Sequence, residues 1–447
     1  MKLLFIENRH KTFLYEPITE HLKELGHEVH WLVQNKQFLP KTTTNTNIHI
    51  INYPTKKENI DCTDDGVAEV IISDRQVNHF QIKDQSYFYY YNSKIEEILL
   101  SIQPNFVFGE STSFHELLAI KNCKKHGILY LNPSTCRYPI GRFSFYKYDT
   151  LEPYLGSNET LTNDEASDLI DQIVNRKTAP DYMRLSPASK FETIKDKIKK
   201  TYAYIDGENY NTPNPLIKYK LEKQKKKNIR DWDTNAVGKV NKNHKFRILY
   251  PLQMQPEANL DVWGRPYRNQ NELIRQILEN LPKDVTLYVK PNPKSKYELS
   301  RELIDVVANA DNCIALHHST KMDVILPDID LVITVTGTIA IECILNNKPV
   351  LTLIKTINNT AKNCLYLRSI NTDITAIIES IKTGVFYKLS NQEKINFLNL
   401  LNSTSYKGIV SDPFTDKNCV NDNNINNLMK AFKSVVNKNE FRFYKEI

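Results

Sequence analysis

Short runs of consecutive apolar residues alternate along this chain with longer segments in which apolar residues recur every three or four positions. The first run, Lys2 to Ile6, predicts a buried strand. From Phe13 to Leu25, the residues Leu14, Ile18, His21, Leu22 and Leu25 fall on one helical face, and Gly26 closes the helix. His27 to Val33 predicts the next strand. A strand, a helix and a strand joined this closely form a βαβ unit, and its right-handed crossover implies a parallel sheet. The alternation continues with a strand from Ile48 to Tyr53, a helix from Tyr91 to Ile102 and a strand from Asn105 to Gly109. A helix from Phe114 to His126 and a strand from Ile128 to Leu131 follow. Ligands of open parallel sheets bind outside the carboxyl ends of the strands, and Glu110 stands at such an end.

From 158 to 245 the pattern is polar and helical, without strand alternation. A second series then begins with a strand at 247–250, a helix at 271–281 and a strand at 286–290. It continues with a helix at 300–308, strands at 313–316 and 331–335, a helix at 339–345 and a strand at 350–353. The expected fold class is therefore α/β, with two Rossmann-like doubly wound domains. The N-terminal domain, with a helical extension and a basic linker, is expected over 1–240 and the second domain over 241–390. A helical tail is expected over 391–447.

Composition narrows the function more than the fold. A chain of 447 residues exceeds one ordinary core. No apolar stretch approaches the ~20 residues of a membrane span, and the first run is too short and wrongly flanked for a secretory signal. Seven cysteines, Cys62, Cys123, Cys136, Cys313, Cys343, Cys364 and Cys419, are odd in number and contain no C-x-x-C pair, so a reducing, cytoplasmic setting is expected. The net charge of +7 is partly concentrated between Lys218 and Arg230. That segment reads as a solvated linker, with peripheral contact to an anionic inner-membrane surface as the alternative. Nucleic acid is not expected as a partner, since no zinc-finger spacing or aromatic-basic RNA motif occurs. No G-x-G-x-x-G, P-loop or G-x-S-x-G motif is present, which removes the usual carriers of dinucleotide oxidoreductases, P-loop kinases and nucleophile-elbow hydrolases. His317-His318 reads as an isolated loop pair.

Three clusters follow strands of the second series. In Thr334 to Glu342 a buried strand stops at Thr336-Gly337-Thr338 and a helix begins, so backbone N–H groups are presented to an anion such as phosphate. The alternative is a plain N-cap at Thr338 and a tight turn at Gly337. Glu342 is placed to accept from a sugar or ribose hydroxyl, or to support the helix start. In Tyr250 to Glu257, Gln253, Gln255 and Glu257 surround Pro256, a set that is costly to bury unpaired and suited to a polar ligand; an ordinary polar loop is the alternative. In Leu287 to Lys294, Lys290 can neutralise phosphate and Asn292, before Pro293, can hydrogen-bond a base or ribose, unless the segment is a surface turn. In the first half, Glu110 is the candidate acid, base or nucleophile, with helix capping as its alternative. Ser111, Arg137 and Arg142 are candidate acceptor contacts, and each guanidinium could instead form an internal ion pair.

In their order, Tyr-Pro-Leu-Gln-Met-Gln-Pro-Glu-Ala at 250–258, Asn269-Gln270, Leu-Tyr-Val-Lys-Pro-Asn-Pro at 287–293, Thr-Val-Thr-Gly-Thr-Ile-Ala-Ile-Glu at 334–342 and Lys-Pro-Val at 348–350 resemble the bacterial capsule polysaccharide biosynthesis family. That family includes Kdo transferases. Gly-Glu-Ser-Thr at 109–112 and Arg-Tyr-Pro-Ile-Gly-Arg-Phe at 137–143 are similar to its N-terminal half. The resemblance implies a GT-B fold, with the two domains facing across a cleft, and sugar transfer from a nucleotide donor, in some branches a CMP-linked acidic sugar such as Kdo. It implies a nucleotide site at Lys290 to Pro293 and Thr336 to Thr338, a hydroxyl contact at Glu342 and a donor-sugar contact at Gln255 to Glu257. It also implies that the tail returns to the first domain. One departure stands out: Asn292 occupies a position where many members carry histidine, and an amide cannot become a cation or a general acid. The expected partners are a nucleotide sugar and a glycan or glycolipid acceptor, with Glu110 or Glu257 catalytic and no other cofactor or metal. A sugar-nucleotide epimerase or hydrolase of the same architecture, or a non-catalytic glycan-assembly protein, are the alternatives.

Overall fold

The computed structural model describes residues 1–41, 47–55, 63–178, 180–181 and 185–443, with backbone alone at 371–372 and 439–443. It contains two compact units, the first made of Met1–Thr160, Ala179–Asn214 and Leu400–Ile447 and the second of Leu161–Thr178 and Pro215–Asn399.

The first unit holds β1 (Lys2–Ile6), β2 (Glu28–Val33), β3 (Asn47–Ile50), β4 (Phe106–Phe108), β5 (Leu129–Thr135), β6 (Arg142–Lys147) and β13 (Tyr406–Lys407). They lie in the order β13-β6-β5-β4-β1-β2-β3, parallel from β3 to β5, with β6 and β13 added antiparallel. Strands buried on both faces read as continuous apolar runs, and the first four strand residues after Lys2 are all buried. The helix Thr12–Glu24 ends as its glycine predicts. Gly26, at φ 88°, donates to Lys23 O and His27 donates to Leu22 O, a pair of bonds that only a left-handed residue allows cheaply. The tail helix Asp422–Phe443 packs on Thr12–Glu24 and places Phe432 among Phe5, Phe108 and Phe145, with ring centroids 4.9 to 6.1 Å apart.

The second unit holds β7 (Phe246–Pro251), β8 (Val285–Lys290), β9 (Cys313–Ala315), β10 (Leu331–Thr334), β11 (Val350–Thr352) and β12 (Cys364–Tyr366), all parallel, in the order β12-β11-β10-β7-β8-β9. Numbered from β7, this is the 3-2-1-4-5-6 order of a doubly wound dinucleotide-type sheet.

The units divide differently from a single break near residue 240. Residues 218–230 are not a linker: they lie in the helix Pro215–Asn235, whose Trp232 is buried in the second core and donates from Nε1 to Leu316 O at 2.9 Å. The helix Asn163–Val174 also belongs to the second unit. Six cysteines are free thiols; Cys62 lies outside the described residues. Among the described residues no helix is long and apolar enough to cross a membrane.

Candidate functional site

In a doubly wound sheet, the crossovers leave in opposite directions from the first and fourth strands, and the crevice between their carboxyl ends is where ligands bind. Each unit has such a point, between β7 and β10 in the second and between β1 and β4 in the first.

In the second unit, Gln253 bridges the point. With its amide set so that every partner is satisfied, the side-chain carbonyl accepts from the backbone N–H groups of Thr336 (2.9 Å) and Gly337 (3.2 Å), and the amide nitrogen donates to Thr336 Oγ1 (3.2 Å). Thr336 Oγ1 also donates to Asn259 O (2.9 Å) and Gly337 N to Thr334 Oγ1 (3.0 Å). A Cβ on Gly337 would stand 2.4 Å from Thr334 Oγ1, so this turn requires glycine for close approach rather than for a left-handed backbone. Thr338 makes no side-chain cap bond. The two backbone donors of Thr336 and Gly337 are thus gathered on one oxygen, which is the geometry a phosphate oxygen would take.

Behind this loop, the buried Gln270 acts as a clamp. Its Oε1 accepts from Tyr250 Oη (3.1 Å) and Gln253 N (2.9 Å), and its Nε2 donates to Gln253 O (2.9 Å) and Gln255 Oε1 (3.1 Å). Gln255 turns inward, donating to Asp261 Oδ1 (2.7 Å) and Arg268 O (3.0 Å); both ends of its amide are used inside the loop. A cis bond joins it to Pro256. Glu257 pairs with Lys296 at 2.9 Å and remains a quarter exposed. Asp261, which the sequence did not single out, accepts from Gln255 and from Glu257 N, and burial pushes its carboxyl up to about 6.

Lys290 closes β8 and is buried. Its ammonium donates to Pro291 O (3.0 Å) and His318 O (3.1 Å), and burial lowers it to about 8, opposed by Asp233. β7 separates it from β10, and two strand spacings are roughly 10 Å, so the backbones that carry Lys290 and Thr336 are not adjacent. Asn292 accepts from Lys294 N (2.8 Å), closing the surface turn that was the alternative reading, and Pro293 is exposed. Glu342 is held by Arg176 at 2.5 Å, an arginine in the turn that follows the helix Asn163–Val174 and was not singled out in the sequence.

The His317-His318 pair is not isolated. Asp233, from the helix Pro215–Asn235, lies 2.5 Å from His318 Nδ1 and 3.5 Å from His317 Nε2, and the three ligand atoms fall within 4.8 Å of one another. These residues could hold a cation only by breaking the Asp233–His318 hydrogen bond. Two Asp-x-Asp spacings occur in the second unit, Asp231/Asp233 and Asp328/Asp330. Asp330 is bound by both arms of Arg247.

In the first unit, Asn8 follows β1 and Glu110 follows β4. Asn8 Nδ2 donates to Glu110 Oε2 (3.2 Å) and Glu116 Oε1 (2.9 Å), and Lys11 pairs with Glu110. Glu116, not Glu110, caps the helix Phe114–Lys125, accepting from the N–H groups of Glu110, Thr112 and Ser113. Burial lowers Lys11 to about 8, with Asp412 and Glu116 opposing. Glu7, also missed in the sequence, is buried, and that burial raises its carboxyl. Ser111 is fully buried, accepting from Asn132 Nδ2 (2.9 Å). Arg137 is half-buried beyond β5.

Arg142 is used internally. It donates to Ser405 Oγ, Glu159 Oε2, Ser157 Oγ and the carbonyls of Asn402 and Ser405, all at 2.8 to 3.0 Å. The acceptor contact expected at Arg142 is corrected to the internal ion pair that was its alternative, because these bonds occupy all three guanidinium nitrogens.

Two such units, each with a polar knot at its switch point, define a protein of the double-Rossmann α/β class. Residues 159–360 match the family described as capsule polysaccharide biosynthesis protein, so that stretch carries the family resemblance that the motif order implied. No curated protein matches the sequence. Among solved structures, the chain is similar to KpsC, a beta Kdo 2,7 transferase from Thermosulfurimonas dismutans, at 10% identity and a TM-score of 0.37, covering 92% of this chain and 94% of that one. It is also similar to the UDP-GlcNAc 2-epimerase from Neisseria meningitidis bound to UDP-GlcNAc, at 13% identity and a TM-score of 0.30, covering 98% and 100%. Likeness at this level identifies neither the substrate nor the reaction of this chain.

Proposed function

We propose that this protein is a glycosyltransferase that moves a sugar from a nucleotide donor to a surface polysaccharide or glycolipid acceptor, the donor being a CMP-linked acidic sugar such as Kdo. The observation that carries the reading is the Gln253–Thr336–Gly337 knot at the β7/β10 point, inside the stretch that matches the capsule family. In this reading the donor phosphate displaces the Gln253 carbonyl and takes the two backbone N–H groups, while Lys290, already short of carboxylate contact, neutralises a more distant anionic group of the same ligand. The acceptor hydroxyl attacks the anomeric carbon, the bond to the phosphate breaks, and a carboxylate takes the hydroxyl proton. Glu110 is the better placed for that step in the first unit, and Glu257 in the second. Preorganised donors at the departing phosphate supply leaving-group stabilisation.

The experiment is incubation with CMP-Kdo, with and without a Kdo-terminated oligosaccharide acceptor, followed by mass spectrometry. A product heavier by one sugar, formed only with acceptor, is expected. An altered nucleotide sugar formed without acceptor would instead assign an epimerase.

A further inference from the structure

The helix Lys190–Ile205 of the first unit turns one side inward. Asp196 bonds His10 Nε2 (2.8 Å) and Lys200 Nζ (2.5 Å), Ala203 is fully buried, and the Lys199 ammonium lies 4.0 Å from the Phe38 ring centre. The opposite side carries Phe191, Ile194, Ile198, Tyr202 and Ile205, which are 65, 55, 50, 64 and 75% exposed. At ~100° per residue these five fall within an arc of roughly 80° running the length of the helix. Large apolar residues on a soluble surface are ordinarily scattered singly; a continuous stripe marks a docking face.

Charge selects the occupant. Lys195 borders the stripe on one edge and Lys190 and Lys197 on the other, while the two acids of the helix are engaged elsewhere, Glu192 with Lys417 (2.7 Å) and Asp196 with the inward face. A second copy docked stripe to stripe would set lysine rims against lysine rims. A bilayer rich in anionic lipid complements both features, with the apolar stripe entering the acyl boundary and the lysines reaching back to headgroup phosphates.

We propose that the helix Lys190–Ile205 is a membrane-docking element that lies in the plane of an anionic bilayer surface. This goes beyond the transfer reading and does not depend on it. It also moves the membrane contact away from 218–230, since the helix Pro215–Asn235 that carries that segment exposes the large apolar residues Leu216 and Tyr219 only at its start.

The test is flotation of the full chain with vesicles of phosphatidylcholine alone or with about 30 mol% phosphatidylglycerol, where roughly tenfold or more enrichment on the anionic vesicles is expected at low salt. A Phe191→Ser/Ile198→Ser/Tyr202→Ser chain should lose that binding with an unchanged melting temperature, since these side chains are exposed. A Lys190→Gln/Lys195→Gln/Lys197→Gln chain should lose the preference for anionic vesicles. Equal partition of the wild-type and serine chains, equal binding to both vesicle types, or a dimer in light scattering that the serine substitutions dissolve would overturn the proposal.

Discussion

The two switch points share one topology and differ in chemistry. Between β1 and β4, the groups are charged: Glu110 against Lys11, with Glu116 and the buried Glu7 close by. Between β7 and β10, they are amides, hydroxyls and backbone N–H groups, with Gln253 at the centre and Gln270 behind it. A neutral cradle of donors can receive an anionic phosphate without losing a charge partner. At the charged point, Glu110 pairs with a lysine whose ammonium burial lowers to about 8. The difference teaches that one fold, used twice, can carry neutral donors at one switch point and charged groups at the other; in the function proposed above, the first holds the leaving group and the second takes the acceptor proton.

The comparison breaks most visibly at Glu110. Glu110→Gln is expected to lower the transfer rate by about 10² to 10⁴-fold, the usual worth of a positioned acid or base, with nucleotide affinity unchanged in equilibrium titration. A matching loss of affinity would mean that the two points are not divided in this way. Next comes Arg142→Met, which removes five hydrogen bonds of the guanidinium, while Glu159 keeps Lys407 and the carbonyls of Asn402 and Ser405 keep Ser405 Oγ and Ser157 N. Chemical denaturation should show a loss of about 3 kcal/mol or more, since a hydrogen bond to a charged group contributes about 1.5 to 3 kcal/mol, and nucleotide binding by the folded chain should persist. The smallest effect concerns Asp261. Its folded pKa of about 6 lies above the ordinary 3.8, so the folded state holds the proton more tightly than the unfolded chain does. That stabilisation is complete below about pH 4 and is lost as pH rises through 6, by at most about 3 kcal/mol. Denaturant melts at pH 4 and pH 7 should show this decline in the wild type and not in Asp261→Asn.

Much of this architecture is visible in the sequence, for a physical reason. Parallel strands buried on both faces leave unbroken apolar runs, and Gly26 signals its helix end through a conformation other residues avoid. β6 and β13 are less visible: β6 mixes polar residues with apolar ones and so lacks that run, and β13 is a two-residue edge strand whose partner β6 lies more than 250 residues away in sequence. The same distance explains Arg142: nothing near it announces Ser405 or Asn402. Local order also located the β7 and β10 loops but not their internal wiring. Gln255 is polar and follows a strand, yet its amide serves Gln270 and Asp261. Asp233 joins His317 and His318 only because a helix 80 residues earlier docks beside β9. Asp261 and Arg176 have no motif around them, and their significance comes from burial and from a partner supplied by the fold.

Titration calorimetry of CMP, UDP and GDP into the wild-type and Gly337→Ala chains tests whether the β7/β10 point receives a nucleotide phosphate. The added methyl stands 2.4 Å from Thr334 Oγ1 and must push the two donors apart. Wild-type binding with CMP preferred is expected, with a loss of roughly tenfold or more in Gly337→Ala, about 1.4 kcal/mol, while the chain stays folded. Equal affinity in the two chains, or no binding of any nucleotide by the wild type, would contradict it.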